Sequence, residues 1–300
     1  MSRSTSVLPS SDDSATSSIA SKRWIPPVER FASHYARYNG PIGKLGANPT
    51  THTAEVRFLG KPGLGVVKAF ALSDFGWVNE AIAWALGNCL GVVMPPQGML
   101  LLVAPGELGS DKEPELMAAH NLWGTGAIVL WCTSRLDIKC PQNVWPIHWE
   151  RVVMSKPYGR RLAAFDAWLG NCDRIAQNAP YWSSKGLVAA IDHERLAFAQ
   201  DWRKGVPIHM DRLDAHQTHL MKVIREMIAA KKLRAAEANE LVAELAVMSE
   251  PHADTLSLVH ADATSLVGDN FGTAAAANLL KFLSDRATPA FINERLEQLR

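Results

Sequence analysis

The chain has 300 residues, 47% of them apolar and 20% charged, a composition typical of soluble globular proteins and long enough for one large domain or two lobes. A net charge of +1 excludes the one-sign excess of general nucleic-acid or membrane-surface binders. No apolar run reaches the roughly 20 residues that span a bilayer, so no membrane span is expected. Four cysteines (Cys89, Cys132, Cys140, Cys172) lie far apart with no CxxC pair. That spacing speaks against a thiolate metal centre or a disulfide framework and for a reducing, cytoplasmic setting.

About half of residues 1–21 are Ser or Thr, with almost no large apolar side chain and no h-region of a secretory signal. Such a segment cannot bury enough surface to offset its chain entropy, and residues 1–23 are expected to be a disordered leader. From Val28 to Val103 the pattern is mostly strand. Short β-rich runs at 54–60 (AEVRFLG) and 65–72 (GVVKAFAL) are punctuated by glycines, and Pro62 with its neighbouring glycines predicts a hairpin turn. Residues 78–92 (VNEAIAWALGNCLGV) carry Ala81, Trp84, Ala85 and Leu86 at helical spacing. GMLLLV (98–103) and AIVLWC (127–132) have the length of buried strands.

Beyond about Asp137 the character turns helical. RRLAAFDAWLG (160–170) reads as a helix running into a polar loop, followed by the strand-like GLVAAI (186–191). Helices are expected at roughly 212–230, 233–248, 272–285 and 289–299, the last begun by Thr288 and Pro289. The fold class is therefore α+β, with a bilobal architecture. A small antiparallel β lobe with one helix covers 24–136, a mostly helical lobe covers 137–300, and a cleft between lobes is a usual place for a ligand.

Four features in this order bear on chemistry. Lys68, in VVKAF, shares a strand face with Val66, Phe70 and Leu72. Its head either snorkels from an edge strand or is a buried ammonium that needs an anionic partner. Glu80 sits near the start of the following helix, where the helix dipole alone would favour it. A strand lysine followed a dozen residues later by a helix glutamate is also the pairing that sets a lysine on nucleotide phosphates.

Asp173 and Asn178, in WLGNCDRIAQN (168–178), lie five residues apart in one polar loop, with Asn171 and Arg174 available to support it or to meet phosphate. Phosphoryl transfer needs a carboxylate to orient the attacking hydroxyl and an oxygen ligand for magnesium close by. A capped turn is the plainer reading of the same residues. Asp192 ends the apolar run LVAAI and would deliver a second oxygen ligand.

The segments DRIAQN and AAIDHERLAF resemble the catalytic and metal-binding segments of the HipA-like kinases, and of the type II phosphatidylinositol 4-kinases of the same superfamily. VVKAF and NEAIAWALGNCLGVVMPP resemble the HipA-like lysine strand, Asn-Glu helix start and Gly-Val-x-x-Pro exit. The resemblance covers roughly residues 35–200. It implies a protein-kinase-like fold that binds ATP and Mg2+. Lys68 would meet the α- or β-phosphate and Glu80 would hold Lys68. Asp173 would be the catalytic carboxylate with Arg174 beside it, and Asn178 and Asp192 would bind the metal. Gly40 and Gly43, in NGPIGKLG (39–46), would approach the phosphates, and backbone groups around Cys132 and Thr133 would meet adenine.

The implied activity is transfer of the γ-phosphoryl group to a Ser or Thr hydroxyl of a protein. A lipid or small-molecule acceptor and a catalytically weak nucleotide-binding regulator are the alternatives. Asp192 is followed by His-Glu rather than Phe-Gly, so ordinary activation-segment logic does not transfer. The chain is expected to lack the extra N-terminal subdomain of full-length HipA toxins, which leaves an antitoxin partner open. A zinc half-site from His209, Asp211, His216 and His219 is the weaker competing constellation, since no HExxH occurs.

Overall fold

The computed structural model describes residues 26–30, 32–42, 50–104, 107, 127–139, 146–154, 156–197, 218–234, 236–237, 239–240, 243–244, 265–286 and 290. The expected leader and the helices at 289–299 and over most of 233–248 lie outside these residues, as do His209, Asp211 and His216.

The fold is α+β. Strands β1 (Val28–Glu29), β2 (Tyr35–Pro41), β3 (His52–Phe58), β4 (Lys61–Ala71), β5 (Gly98–Val103) and β6 (Ile128–Ser134) form one sheet in the order β1-β5-β6-β4-β3-β2. The expectation of a wholly antiparallel sheet is corrected at its edge, because β1 pairs parallel with β5. β1 and β5 are about 70 residues apart in the chain, so no hairpin fixes their relative direction.

The β3–β4 turn is also displaced from the expected place. Phe58 pairs with Lys61, leaving only Leu59 and Gly60 in the loop, at φ of 49° and 79°. Positive φ at both central residues matches the right-handed twist of the flanking strands. Pro62 and Gly63 therefore lie inside β4 rather than in the turn.

Alternation along β4 separates two apolar clusters. Val67 and Ala69 join Val56, Leu101, Leu130 and Cys132 on one face of the sheet. Phe70 faces the other, larger core with Leu100, Val129 and Trp131. Helix α1 (Gly76–Cys89) lies against that second face, and its residues Gly76 to Gly87 are all buried. The apolar stripe read from the sequence is thus only part of the buried surface. Small residues at Ala81, Ala83, Ala85 and Gly87 let neighbours close on every side, and a Cβ at Gly87 would stand 2.0 Å from Met94 Cε.

The same core continues into helices α2 (Pro146–Met154), α3 (Pro157–Leu169), α4 (His219–Ala229) and α5 (Thr273–Arg286) through Val153, Phe165, Leu220 and Phe282. Burial of this scale, at about 25 cal/mol per Å2 of apolar surface, is the main favourable contribution to the fold. Gly159 permits the close α2–α3 junction, because a Cβ there would stand 1.8 Å from the carbonyl oxygen of Val153. A small three-stranded sheet joins β7 (Ile138–Lys139), which precedes α2, to β8 (Tyr181–Trp182) and β9 (Leu187–Val188), which follow α3. The strand expected over 186–191 is thus reduced to two residues, and Asp192 follows four residues after it.

Candidate active site

A cavity of about 1200 Å3 opens beside the sheet face that carries Val66, Lys68 and Phe70. It is also lined by Glu80 of α1, by Asp173 and Asn178, and by residues 190–195. Lys68, Glu80, Asp173, Asn178 and Asp192, all singled out from the sequence, thus meet at one cavity.

Lys68 resolves its two readings in favour of the buried ammonium. Its Nζ donates to Glu80 Oε1 at 2.6 Å, to Asp192 Oδ1 at 2.7 Å and to Glu194 Oε1 at 3.2 Å. An ammonium has three protons, and each is engaged. Burial alone would lower the Lys68 pKa, but the three carboxylates hold it well above the ordinary value. Burial alone would raise that of Glu80, but the Lys68 ammonium and the contact with His193 bring it down to about 2. Glu194 moves the other way. Its burial pushes it up, Lys68 pulls it down, and the adjacent Asp192 and Glu80 charges push it up again.

The loop after α3 is tied down from beneath. Gly170 closes the helix at φ 65°, a left-handed position that suits glycine. Asp166, fully buried on α3, accepts from Asn171 Nδ2 at 3.1 Å and from Arg174 Nε and Nη2 at 2.9 and 3.1 Å. Asn171 Oδ1 in turn accepts from the Asp173 backbone N–H at 3.1 Å.

Arg174 is completely buried and does not line the cavity. Its Nη1 donates to the carbonyls of Asn178 and Ile191, and its remaining Nη2 proton goes to His193 Nε2 at 2.7 Å. All five guanidinium N–H groups are matched, so Arg174 acts as a clamp under the loop and is not placed to touch a phosphate. This corrects its assignment as a catalytic group. The physical reason is the buried Asp166 carboxylate, which draws the guanidinium inward.

Asp173 and Asn178 face the cavity. Asn178 Nδ2 donates to the Asp173 carbonyl at 2.8 Å, and among the described residues Asn178 Oδ1 has no donor. Asp173 is partly exposed, with Arg195 Nε 3.8 Å from its Oδ2. Asp192 adopts φ 62°, unusual for a residue other than glycine though tolerated by aspartate. Such backbone strain clusters at functional sites, held there by the surrounding structure. Here the Lys68 contact and the Arg174 bond to the preceding carbonyl hold it.

The remaining sequence candidates fall differently. Cys132 lies in the cluster on the far face of the sheet, and its thiol, pushed up by burial, points away from the cavity. Thr133 lines the cavity, but β6 is flanked by β4 and β5, so the backbone of both residues lies inside ladders. Leu136, just past the strand, also lines the cavity, and among the described residues its backbone N–H and C=O have no partner. Gly40 lies on β2 with its carbonyl accepting from Thr53 Oγ1, next to the lining residues Pro41 and Ile42. Gly43 lies outside the described residues.

Asp166, His193 and Glu194 were not singled out from the sequence. A lone carboxylate among Ala, Phe and Trp of a buried helix was the one local signal, for Asp166. His219 Nε2 meets a carboxylate oxygen of Glu150 on α2.

Hard oxygen donors converge here without sulfur. The carboxylate oxygens of Glu80, Asp192 and Glu194 lie within 4.8 Å of one another, and the open Oδ1 of Asn178 faces the same cavity. That donor set fits a magnesium ion. A lysine–glutamate pair, an Asp-x4-Asn loop and a further aspartate thus stand around one cavity.

No family model matches the chain, and no curated protein matches it. Among solved structures it is similar to HipA of Shewanella oneidensis MR-1, in a complex of a toxin–antitoxin system with HipB and operator DNA. That match has 13% identity and a TM-score of 0.49 over 86% of this chain and 68% of that one. It is also similar to the Helicobacter pylori proinflammatory kinase CtkA, with 14% identity and a TM-score of 0.42 over 88% of this chain and 97% of that one. The first is the namesake of the family that DRIAQN and AAIDHERLAF resemble; the second is a kinase by name.

Proposed function

We propose that the chain is an ATP- and Mg2+-dependent phosphotransferase whose sheet with α1 and whose helical part act as two lobes around the cavity. The observation that carries this reading is the convergence on it of Lys68, Glu80, Asp173, Asn178 and Asp192 from four separate stretches of chain.

In the proposed mechanism Lys68, oriented by Glu80, binds the α- or β-phosphate oxygens of ATP. Asn178 and Asp192 would hold magnesium, which would supply positive charge against the charge that builds up on the phosphoryl group during transfer. Asp173 accepts a hydrogen bond from the acceptor hydroxyl, orients it in line with the γ-phosphorus and receives its proton. The O–P bond to the β-phosphate breaks as the new bond to the acceptor oxygen forms, and ADP leaves. Adenine is proposed to pair with the open backbone edge of Leu136, three residues beyond the place read from the sequence.

A Ser or Thr hydroxyl of a protein is the proposed acceptor; a lipid headgroup is the second reading. Cytoplasmic residence belongs to the same proposal, on the scattered cysteines and the free thiols of Cys89, Cys132 and Cys172.

The test is intact mass after incubation with Mg-ATP, alone and with protein or lipid acceptors. Gain of phosphate by the protein or an acceptor is expected for the natural chain and not for Asp173→Asn. Among the described residues the Asp173 side chain makes no hydrogen bond that holds the loop, only a 3.8 Å approach to Arg195, so that variant should fold and still bind nucleotide. Undiminished transfer by Asp173→Asn would remove the residue from the mechanism.

A further inference from the structure

His193 is buried, its ring edge-on to Phe165 of α3 with centroids 6.2 Å apart and planes at 76°. Phenylalanine would satisfy that packing, and phenylalanine is the residue that follows the metal-binding aspartate in ordinary protein kinases. A histidine here brings polar groups into a dry place, and both of its nitrogens face charged partners.

Arg174 Nη2 stands 2.7 Å from His193 Nε2. A guanidinium can only donate, so Nε2 accepts and the ring proton resides on Nδ1. That nitrogen faces Glu80 Oε2 at 3.8 Å, longer than a direct hydrogen bond but within electrostatic reach, while the other oxygen of Glu80 takes Lys68. The result is one polar chain, Asp166–Arg174–His193–Glu80–Lys68, that runs from beneath the Asp173 loop to the lysine of the sheet.

We propose that His193 is a positioning residue that couples the Asp173 loop to the Lys68–Glu80 pair. The proposal rests on the kinase-like reading of the site. Arg174 holds the carbonyls of Asn178 and Ile191, so its placement sets both segments that carry the metal donors. His193 fixes Arg174 on one side and orients Glu80 on the other. Loss of that bridge lets the two halves of the site drift apart while each still folds. Sites held less tightly than about 0.5 Å lose rate before they lose binding.

Two variants separate this role from simple packing. His193→Phe keeps the contact with Phe165 and removes both polar partners. His193→Gln offers a carbonyl to Arg174 and an amide N–H to Glu80. Rates of transfer from Mg-ATP are measured with thermal unfolding of the same samples. His193→Phe should lower kcat by roughly 10- to 100-fold, the usual effect of breaking a supporting partner, with KM for ATP changed less than about threefold. His193→Gln should recover a large part of kcat. Full activity in His193→Phe, or equal loss in both variants tracking their loss of Tm, overturns the proposal.

A second measurement does not depend on turnover. Imidazole 15N–1H spectra of the natural protein at neutral pH should contain one ring protonated at Nδ1 and bare at Nε2, absent from both variants. An Nε2–H ring at position 193 in an active enzyme sinks the His193 proposal alone. Absence of transfer by the natural protein sinks the kinase reading itself, and the role in transfer with it.

Discussion

Replacing Lys68 by Met keeps the length of the side chain and deletes the charge at the centre of the site. Glu80, only 3% exposed, then stays buried without its cation. Two routes give the magnitude. Breaking a buried pair by removing one partner costs about 3–5 kcal/mol. The depression of Glu80 to about 2, from an ordinary 4.5, points to the same order of a few kcal/mol. The agreement places the loss at about 3 kcal/mol near neutral pH.

The sign of the pH dependence makes the test sharper. In the natural protein the depressed pKa of Glu80 contributes stability that is present above 4.5 and is lost as pH falls toward 2, so this contribution is flat between pH 8 and 5. In Lys68→Met, Glu80 and Glu194 face each other and Asp192 without a cation. Their pKa values rise, and protonation relieves the repulsion. Stability of the variant should therefore increase as pH falls from 8 to 5. Urea unfolding at several pH values reads both effects. Millimolar Mg2+ should also raise the Tm of the variant more than that of the natural protein, because a metal can replace the lost ammonium. A variant equal in stability to the natural protein at pH 7.5, with the same flat profile, would refute the reasoning.

Three further outcomes are expected. Asp173→Asn should abolish phosphate transfer while leaving Tm within a few degrees, checked by intact mass and thermal unfolding. Leu59→Asn should stabilise by about 1 kcal/mol in urea unfolding, since Leu59 is exposed at φ 49° before Gly60 and asparagine is favoured at that turn position; no gain would argue against the two-residue turn. Gly159→Ala should destabilise by about 1–3 kcal/mol, because its methyl meets a backbone carbonyl that cannot rotate away.

Much of the strand and helix order was legible because period and punctuation are local. GMLLLV matches β5 residue for residue, and the helix after VVKAF starts two residues before its expected position. Cys132 shows what was not legible. The face on which its side chain falls depends on the register Lys68↔Trp131, which sets Trp131 and Thr133 beside Lys68 and turns Cys132 away. Register is a property of two distant segments and has no local signature. Whether Arg174 supports the loop or meets phosphate is illegible for a similar reason, since its partner Asp166 sits on the preceding helix and only the fold buries both. Glu194 and His193 gain their roles from Lys68 and Glu80, more than a hundred residues away.

The charge of the cavity connects these placements to the order of binding. Among the described residues its walls carry six carboxylates (Asp74, Glu80, Asp137, Asp173, Asp192, Glu194) against three cations (Lys68, Arg135, Arg195). With the His193 pKa lowered by burial and by Arg174, the ring adds no charge at neutral pH. A bare polyanionic nucleotide approaching such a surface is repelled at short range. Asp192 and Glu194 also occupy Lys68, the lysine that phosphates would need in the proposed mechanism. A divalent cation held by Asp192 would resolve both conflicts, since it would offset phosphate charge and compete with the ammonium for that carboxylate. Nucleotide affinity should therefore fall steeply when the metal is chelated. Equal binding of ATP with and without a divalent cation would mean that the carboxylates around Lys68 serve only the fold.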